Sequence, residues 1–176
     1  AYCLSMDILK GTSLGAVICI NDSLIRVAKN IKLFKPEMIL MVPLMIETMA
    51  KKLEEAALLP AKIVKSQVFG KQFHTICSGG AYLDPGYIDL FKKYDIVIQQ
   101  GYGMTECAPV ISVNQSWNIR SDSVGQLLPN CEAKTVEGEL WVKGSSVMQG
   151  YYKMPEETAE TLEDGWLKTG DLGYVD

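Results

Sequence analysis

Three stretches carry residue types whose spacing suits chemistry on a phosphorylated, ring-bearing ligand. The first is Ile98-Gln99-Gln100-Gly101-Tyr102-Gly103-Met104-Thr105-Glu106, at the end of the β-branched run Ile96-Val97-Ile98. Its glycines let backbone approach a ligand in conformations other residues resist. Tyr102 offers a flat apolar face with a polar tip, suited to covering a planar ring. Thr105 and Glu106 add hard oxygens of the kind that Mg²⁺ and its phosphate partners use. Taken alone, the stretch is equally a glycine turn that closes a strand and leaves Glu106 in water. The second, Gly165-Trp166-Leu167-Lys168-Thr169-Gly170-Asp171, puts a carboxylate behind a glycine turn, where it suits the hydroxyls of a sugar diol. The third, Ser78-Gly79-Gly80-Ala81, follows a short strand and leaves room for a flat ring against bare backbone.

These stretches need strands to deliver them, because open α/β sheets bind ligands at the carboxyl ends of their strands. Apolar residues on a helical pattern predict a helix over 2–10, stopped by Gly11. Gly15-Ala-Val-Ile-Cys-Ile20 reads as a strand buried on both faces. Asn21, Asp22 and Ser23 cap a helix to about Phe34, with Leu24, Val27, Ala28 and Ile31 on one face. Met38–Val42 is the next strand, and Pro43 opens a helix to about Ala57. Residues 58–70 are unreadable beyond a break at Pro60 and a turn at Phe69-Gly70. Phe73–Cys77 is a strand that delivers Ser78–Ala81. Asp84 and Pro85 open a helix to about Tyr94, and Asp95–Gln99 is the strand that delivers Gly101–Glu106. Strands and helices alternating at this spacing give βαβ units and a parallel sheet. After Pro109 come short strands separated by turns (Val110–Val113, Val124-Gly125, Pro129-Asn130, Lys134–Val136 and Glu139–Val142), and a helix from Pro155 to about Leu162. They predict a small antiparallel sheet or partial barrel.

The bulk properties narrow the function. A net charge of −4, with no basic cluster, argues against a nucleic-acid partner. The 5 cysteines are scattered with no C-x-x-C pair, and His74 is the single histidine, so neither a disulfide framework nor a zinc site is expected. Reduced thiols fit a cytoplasmic protein. No signal peptide or apolar run of bilayer-spanning length is present.

Taken together and in this order, the motifs resemble the acyl-adenylate-forming family, the AMP-dependent synthetases and ligases. The family's Y-G-x-T-E is met at Tyr102, Gly103, Thr105 and Glu106, its G-E-L-x-V-x-G…G-Y from Gly138 to Tyr151, and its W-x-x-T-G-D from Trp166 to Asp171. The motif wording is most like that of fatty-acid–coenzyme A ligases. The resemblance implies a truncated piece of a larger adenylate-forming domain. Residues 1–113 would form a partial α/β adenylate-binding subdomain, and residues 114–176 a partial β-rich one. A phosphate loop would precede Ala1, and a ribose-gripping arginine, a hinge and a lid lysine would follow Asp176. It also implies ATP, Mg²⁺ and coenzyme A as co-substrates and cofactor, and a carboxylic acid activated as acyl-AMP. Tyr102, with Gly103, is then expected along the adenine and Gly79, Gly80 and Ala81 on its other side. Thr105 would bond the α-phosphate, Glu106 hold Mg²⁺ and Asp171 bind the ribose hydroxyls. An adenylation domain loading a carrier protein, or a non-catalytic nucleotide-binding module, is the alternative.

Other residues read more plainly. G-x-G-x-x-G fails because Glu106 stands where its last glycine belongs. Trp141 and Trp166 are expected in the core, Lys143 and Lys168 on the surface, His74 in a structural role and Cys107 as a packing residue. Met104, Ala108, Pro109, Val110 and Ala81, with Tyr82 and Met41 behind them, are candidates to line an apolar acyl pocket. No acid–base partner adjoins Tyr102 in sequence, so its ring rather than its hydroxyl is expected to matter.

Overall fold

The computed structural model describes residues 4–176. Leu4–Leu9 is wound as a π-helix and runs on into α1 (Lys10–Ser13); Tyr2, in the predicted first helix, lies outside the described residues. Gly11 stays helical. The stop comes at Gly15, left-handed at φ +67°, whose N–H bonds Thr12 O at 3.1 Å.

The predicted buried strand Gly15–Ile20 does not form. Val17 is 91% exposed and Ile20 75%, and the run has no place in either sheet. A strand exists only through a ladder with a neighbour, and apolar content alone does not supply one. A single 3₁₀ turn, Leu24–Arg26, leads into α2 (Val27–Phe34), which buries Val27 and Ile31. Leu24, expected on the same face, stays exposed.

From here the alternation holds. β1 (Met38–Met41) is followed by α3 (Pro43–Glu55), with Pro43 in the first turn and Ile46, Met49, Ala50 and Leu53 buried. Pro60 does more than break the chain, because α4 (Ala61–Val68) starts directly after it. β2 (Thr75–Ser78) leads to α5 (Pro85–Lys92), capped by Asp84 Oδ1, which accepts the Gly86 N–H at 2.7 Å. β3 (Val97–Tyr102) follows. β1, β2 and β3 are parallel, and Met41, Ser78 and Gln100 lie in one row. That register makes their carboxyl ends level, so Gly79–Ala81 emerges beside Gly101 and Tyr102. Phe69, Phe73, Phe91, Ile76 and Ile98 fill the core on this sheet, with Phe69 and Phe73 stacked at 4.7 Å.

β4 (Ser112–Val113) and β5 (Gln126–Leu127) add antiparallel to β3, extending the same sheet to five strands, the last of them beyond residue 114. A second sheet contains β6 (Cys131–Val136), β7 (Glu139–Gly144) and, after α6 (Pro155–Thr161), β8 (Leu162–Glu163) and β9 (Trp166–Leu172). Its order is β6-β7-β9-β8, all antiparallel and open, with no closed barrel. Cys107, Ile111, Val142 and Leu167 form a second, smaller core. Among the described residues, no helix is long and apolar enough to cross a membrane.

Candidate active site

Gly101 and Tyr102 still belong to β3, paired with Val113 and Ser112. The chain leaves the sheet at Gly103. A Cβ there would lie 1.9 Å from Pro109 O and 2.8 Å from Val110 Cα, so the protein's own returning backbone excludes any side chain. Thr105–Cys107 makes one 3₁₀ turn, after which Ala108 is left-handed at φ +50° and joins Pro109 through a cis peptide. That turn sorts its side chains. Cys107 goes fully into the second core, Glu106 is half-buried and Thr105 is exposed. Burial pushes the Cys107 thiol up to about 11, with Cys131 and Glu106 nearby adding to the effect.

The second sheet brings Asp171 to this turn. Asp171 is not on a free turn; it is in β9, where the pairing with β7 is irregular. From the Trp141–Lys168 pair to the Glu139–Leu172 pair, β7 covers fewer residues than β9, and the excess bulges at 169–171. The bulge is held on three sides. Thr169 Oγ1 donates to Leu140 O at 2.6 Å and accepts the Asp171 N–H at 3.1 Å, and the Gly170 N–H donates to Glu139 Oε1 at 2.8 Å. Trp141 Nε1 holds the other Glu139 oxygen at 3.0 Å. So aimed, Asp171 Oδ2 accepts the Tyr102 hydroxyl at 2.5 Å. Burial, and then this bond, raise the Tyr102 phenol above its ordinary range, so it remains a donor. The Tyr102 hydroxyl, with no partner adjoining it in sequence, has one that stands far along the chain. A carboxylate has about four acceptor sites, so Asp171 keeps capacity for further hydroxyls.

Glu106 is held from the loop after β7. Tyr151 donates its hydroxyl to Glu106 Oε1 at 2.9 Å, and the Met148 N–H donates to Glu106 O at 2.7 Å. The hydrogen bond to Glu106 shifts the Tyr151 phenol upward. Thr105 is exposed, and its hydroxyl has no hydrogen-bond partner among the described residues. Gly79 is buried, while Gly80 (φ +87°) and Ala81 are open to solvent. No cluster of three His, Cys, Asp or Glu able to hold a metal occurs among the described residues. A lone carboxylate beside a hydroxyl nevertheless fits Mg²⁺, which takes one or two protein carboxylates and completes its shell with water and substrate phosphate.

The candidate acyl-pocket residues differ in exposure, with Val110 half-buried. Met41 is 2% exposed inside the first core, Pro109 is buried, Met104 packs on the second core, and Ala81, Tyr82 and Ala108 face solvent. The expected core tryptophans are corrected as well. Trp141 and Trp166 are half-buried on the outer face of the second sheet, with Lys134 Nζ 4.9 and 4.2 Å from their ring centres. His74 is exposed, its Nδ1 2.7 Å from Thr75 Oγ1. Asn114 is buried, and its amide donates to Arg120 O and Ser123 O. Tyr151 and Glu139 belong to the G-E-L…G-Y segment; the motif was legible, but their partners were not.

A parallel sheet with Gly-Gly-Ala and Tyr-Gly-x-Thr-Glu at its strand ends, met by a separate antiparallel sheet carrying Thr-Gly-Asp, defines the class of adenylate-forming enzymes. The pattern of the AMP-binding enzyme family matches residues 1–152, and the chain belongs to that family. It is 43% identical over 118 residues to a probable 4-coumarate–CoA ligase 1 of Dictyostelium discoideum, covering 58% of this chain and 21% of the relative. It is 45% identical over 89 residues to a long-chain-fatty-acid–CoA ligase of Salmonella typhimurium, covering 44% of this chain and 16% of the relative. In fold it matches the anthranilate CoA ligase AuaEII, solved with anthranoyl-AMP, at a TM-score of 0.83 and 21% identity over 99% of this chain and 35% of that one. The chain thus spans well under half the length of the proteins it resembles.

Proposed function

We propose that this chain is the nucleotide-binding part of an ATP-dependent, AMP-forming acid–coenzyme A ligase of the cytoplasm. In such an enzyme a carboxylate oxygen of the acid attacks the α-phosphorus of ATP, and pyrophosphate leaves. The sulfur of coenzyme A then attacks the acyl carbon of the mixed anhydride, and AMP leaves. The observation that carries the proposal is the 2.5 Å hydrogen bond from Tyr102 to Asp171. It ties a ring suited to a base to a carboxylate suited to a diol, and in a nucleoside base and sugar are neighbours.

The remaining roles follow the same placement. Gly79, Gly80 and Ala81 emerge one strand away from Tyr102 and flank the base, and Gly103 keeps the turn beside it free of a side chain. The Thr105 hydroxyl donates to the α-phosphate. Glu106 would hold Mg²⁺, which when bound supplies positive charge against the phosphate oxygens. The acid is apolar, a medium- or long-chain fatty acid in first place. Met104, Pro109 and Val110 beside the turn, and the Salmonella relative, support that choice; the 4-coumarate relatives make an aryl acid its competitor.

The test uses the full-length protein, with pyrophosphate exchange and thioester formation followed over a panel of fatty and aryl acids. Asp171→Ala should raise the ATP KM about tenfold or more and leave kcat nearly intact, because a charged hydrogen bond to the ribose acts alike in ground and transition states. Glu106→Gln should lower kcat about 100-fold, because it weakens stabilisation of charge that grows as pyrophosphate leaves. Equal losses in KM alone would remove the metal role of Glu106, and no exchange with any acid would remove the ligase.

A further inference from the structure

Tyr151 stands on the loop between β7 and α6, and its hydroxyl reaches across to the turn after β3, where it donates to Glu106 Oε1 at 2.9 Å. The same loop holds the Glu106 main chain through the Met148 N–H at 2.7 Å. The loop is itself fixed. The Tyr151 N–H donates to Thr158 Oγ1 at 2.9 Å, and Thr158 Oγ1 donates to Met154 O at 2.7 Å within the first turn of α6. A relay thus runs from α6 through Thr158 and Tyr151 to the carboxylate. Glu106 is half-buried, yet no lysine or arginine pairs with it among the described residues, and its Oε2 accepts no protein hydrogen bond among them. One oxygen is restrained by a neutral donor while the other is left open, and the negative charge is left without a cation.

We infer that Tyr151 is a positioning residue that fixes the Glu106 carboxylate so that its open oxygen faces an incoming divalent cation. This rests on Glu106 as the Mg²⁺-holding group. The phenol suits the task because a neutral donor restrains an anion without competing for its charge, as a lysine would. Losing the hydroxyl frees the Glu106 side chain to sample other rotamers while leaving the charge in place.

The experiment is a set of variants in the full-length protein, read by turnover, by Mg²⁺ dependence and by melting temperature. Tyr151→Phe should lower kcat about tenfold and raise the half-saturating Mg²⁺ concentration severalfold. The ATP KM at saturating Mg²⁺ should stay within about twofold. The Mg²⁺ concentration that half-restores the ATP-induced rise in melting temperature should shift by the same factor, independently of turnover. Thr158→Val removes the anchor of the loop but not the hydroxyl, and should move both readouts the same way by less; it decides the matter should Tyr151→Phe not fold. In a Glu106→Gln background, Tyr151→Phe should add nothing, because residues acting as one unit are not additive. Wild-type Mg²⁺ response in Tyr151→Phe, or an undiminished further loss in the Glu106→Gln background, overturns the positioning role. A Glu106→Gln variant with unchanged turnover and Mg²⁺ response instead removes the metal role of Glu106, and the positioning role falls with it.

Discussion

Tyr102 presents two chemistries at once, a ring for a base and a hydroxyl for Asp171, and substitution separates them. Tyr102→Phe keeps the ring and leaves Asp171 to water, so nucleotide affinity should fall only about 2- to 5-fold, the net value of one hydrogen bond at a half-exposed site. Tyr102→Ala loses the face as well, and the further loss should be about 1 kcal/mol or somewhat more. Titration of ATP into both variants, beside their melting temperatures, checks this; a Phe variant as weak as the Ala variant would assign the whole effect to the hydroxyl. Cys107 is the other residue whose environment sets its behaviour. Its thiol titrates near 9 in an open chain and at about 11 in the fold. A raised pKa means that the folded state holds the proton more tightly than the unfolded state. The corresponding stability is therefore complete below pH 9 and is lost as pH rises through 11, a decline of about 2–3 kcal/mol. A buried, protonated thiol is also a poor nucleophile. At pH 8 a disulfide reagent should modify exposed Cys19 quickly and Cys107 only on unfolding, and denaturant melts between pH 8 and 11 should show the decline. Fast labelling of Cys107 in the native protein would mean that the second core opens.

At the scale of elements, the end of β3 and the turn after it decide the site. Gly103 lies where the chain passes under its own Pro109 carbonyl, with no space for a methyl group. Gly103→Ala therefore forces the backbone to move, and overpacking against backbone costs about 1–3 kcal/mol or more. The expected outcome is a lower melting temperature, by several degrees for a chain of this size, together with weakened nucleotide binding, because Thr105 and Glu106 are displaced with the turn. An alanine variant of normal stability that loses only binding would mean instead that a ligand, and not Pro109, needs the space.

At the scale of the whole molecule, charge is the deciding quantity. Transfer at a phosphate needs positive charge close to the oxygens that become negative. Among the described residues, no lysine or arginine forms an ion pair with Glu106 or Asp171. The chain also matches only 21% and 16% of the two curated ligases compared above. Purified by itself, the 176-residue chain should therefore show pyrophosphate exchange at background with ATP and any acid. Robust exchange would show that these residues suffice for adenylation.

By itself the amino-acid sequence determined which local pieces exist. Pro43 and the Asp84-Pro85 cap marked helix starts that the structure keeps. The runs around Met38–Val42, Phe73–Cys77 and Asp95–Gln99 marked the parallel strands to within a few residues. The three motifs were legible because their chemistry is written in consecutive side chains. What needs a neighbour was not legible. Gly15–Ile20 is as apolar as a buried strand yet pairs with nothing in either sheet. Residues 61–68 form a helix that was not legible, because Pro60 marks a break and a helix start alike. The glycine turn before Asp171 was legible, but the strand Trp166–Leu172 that contains it was not, because its register is imposed by β7. The same holds for the two bonds that build the site. Tyr102 and Asp171, like Tyr151 and Glu106, are brought together by the packing of one sheet beside the other. Periodicity records which face of an element is apolar; only the tertiary fold decides which distant side chain meets it.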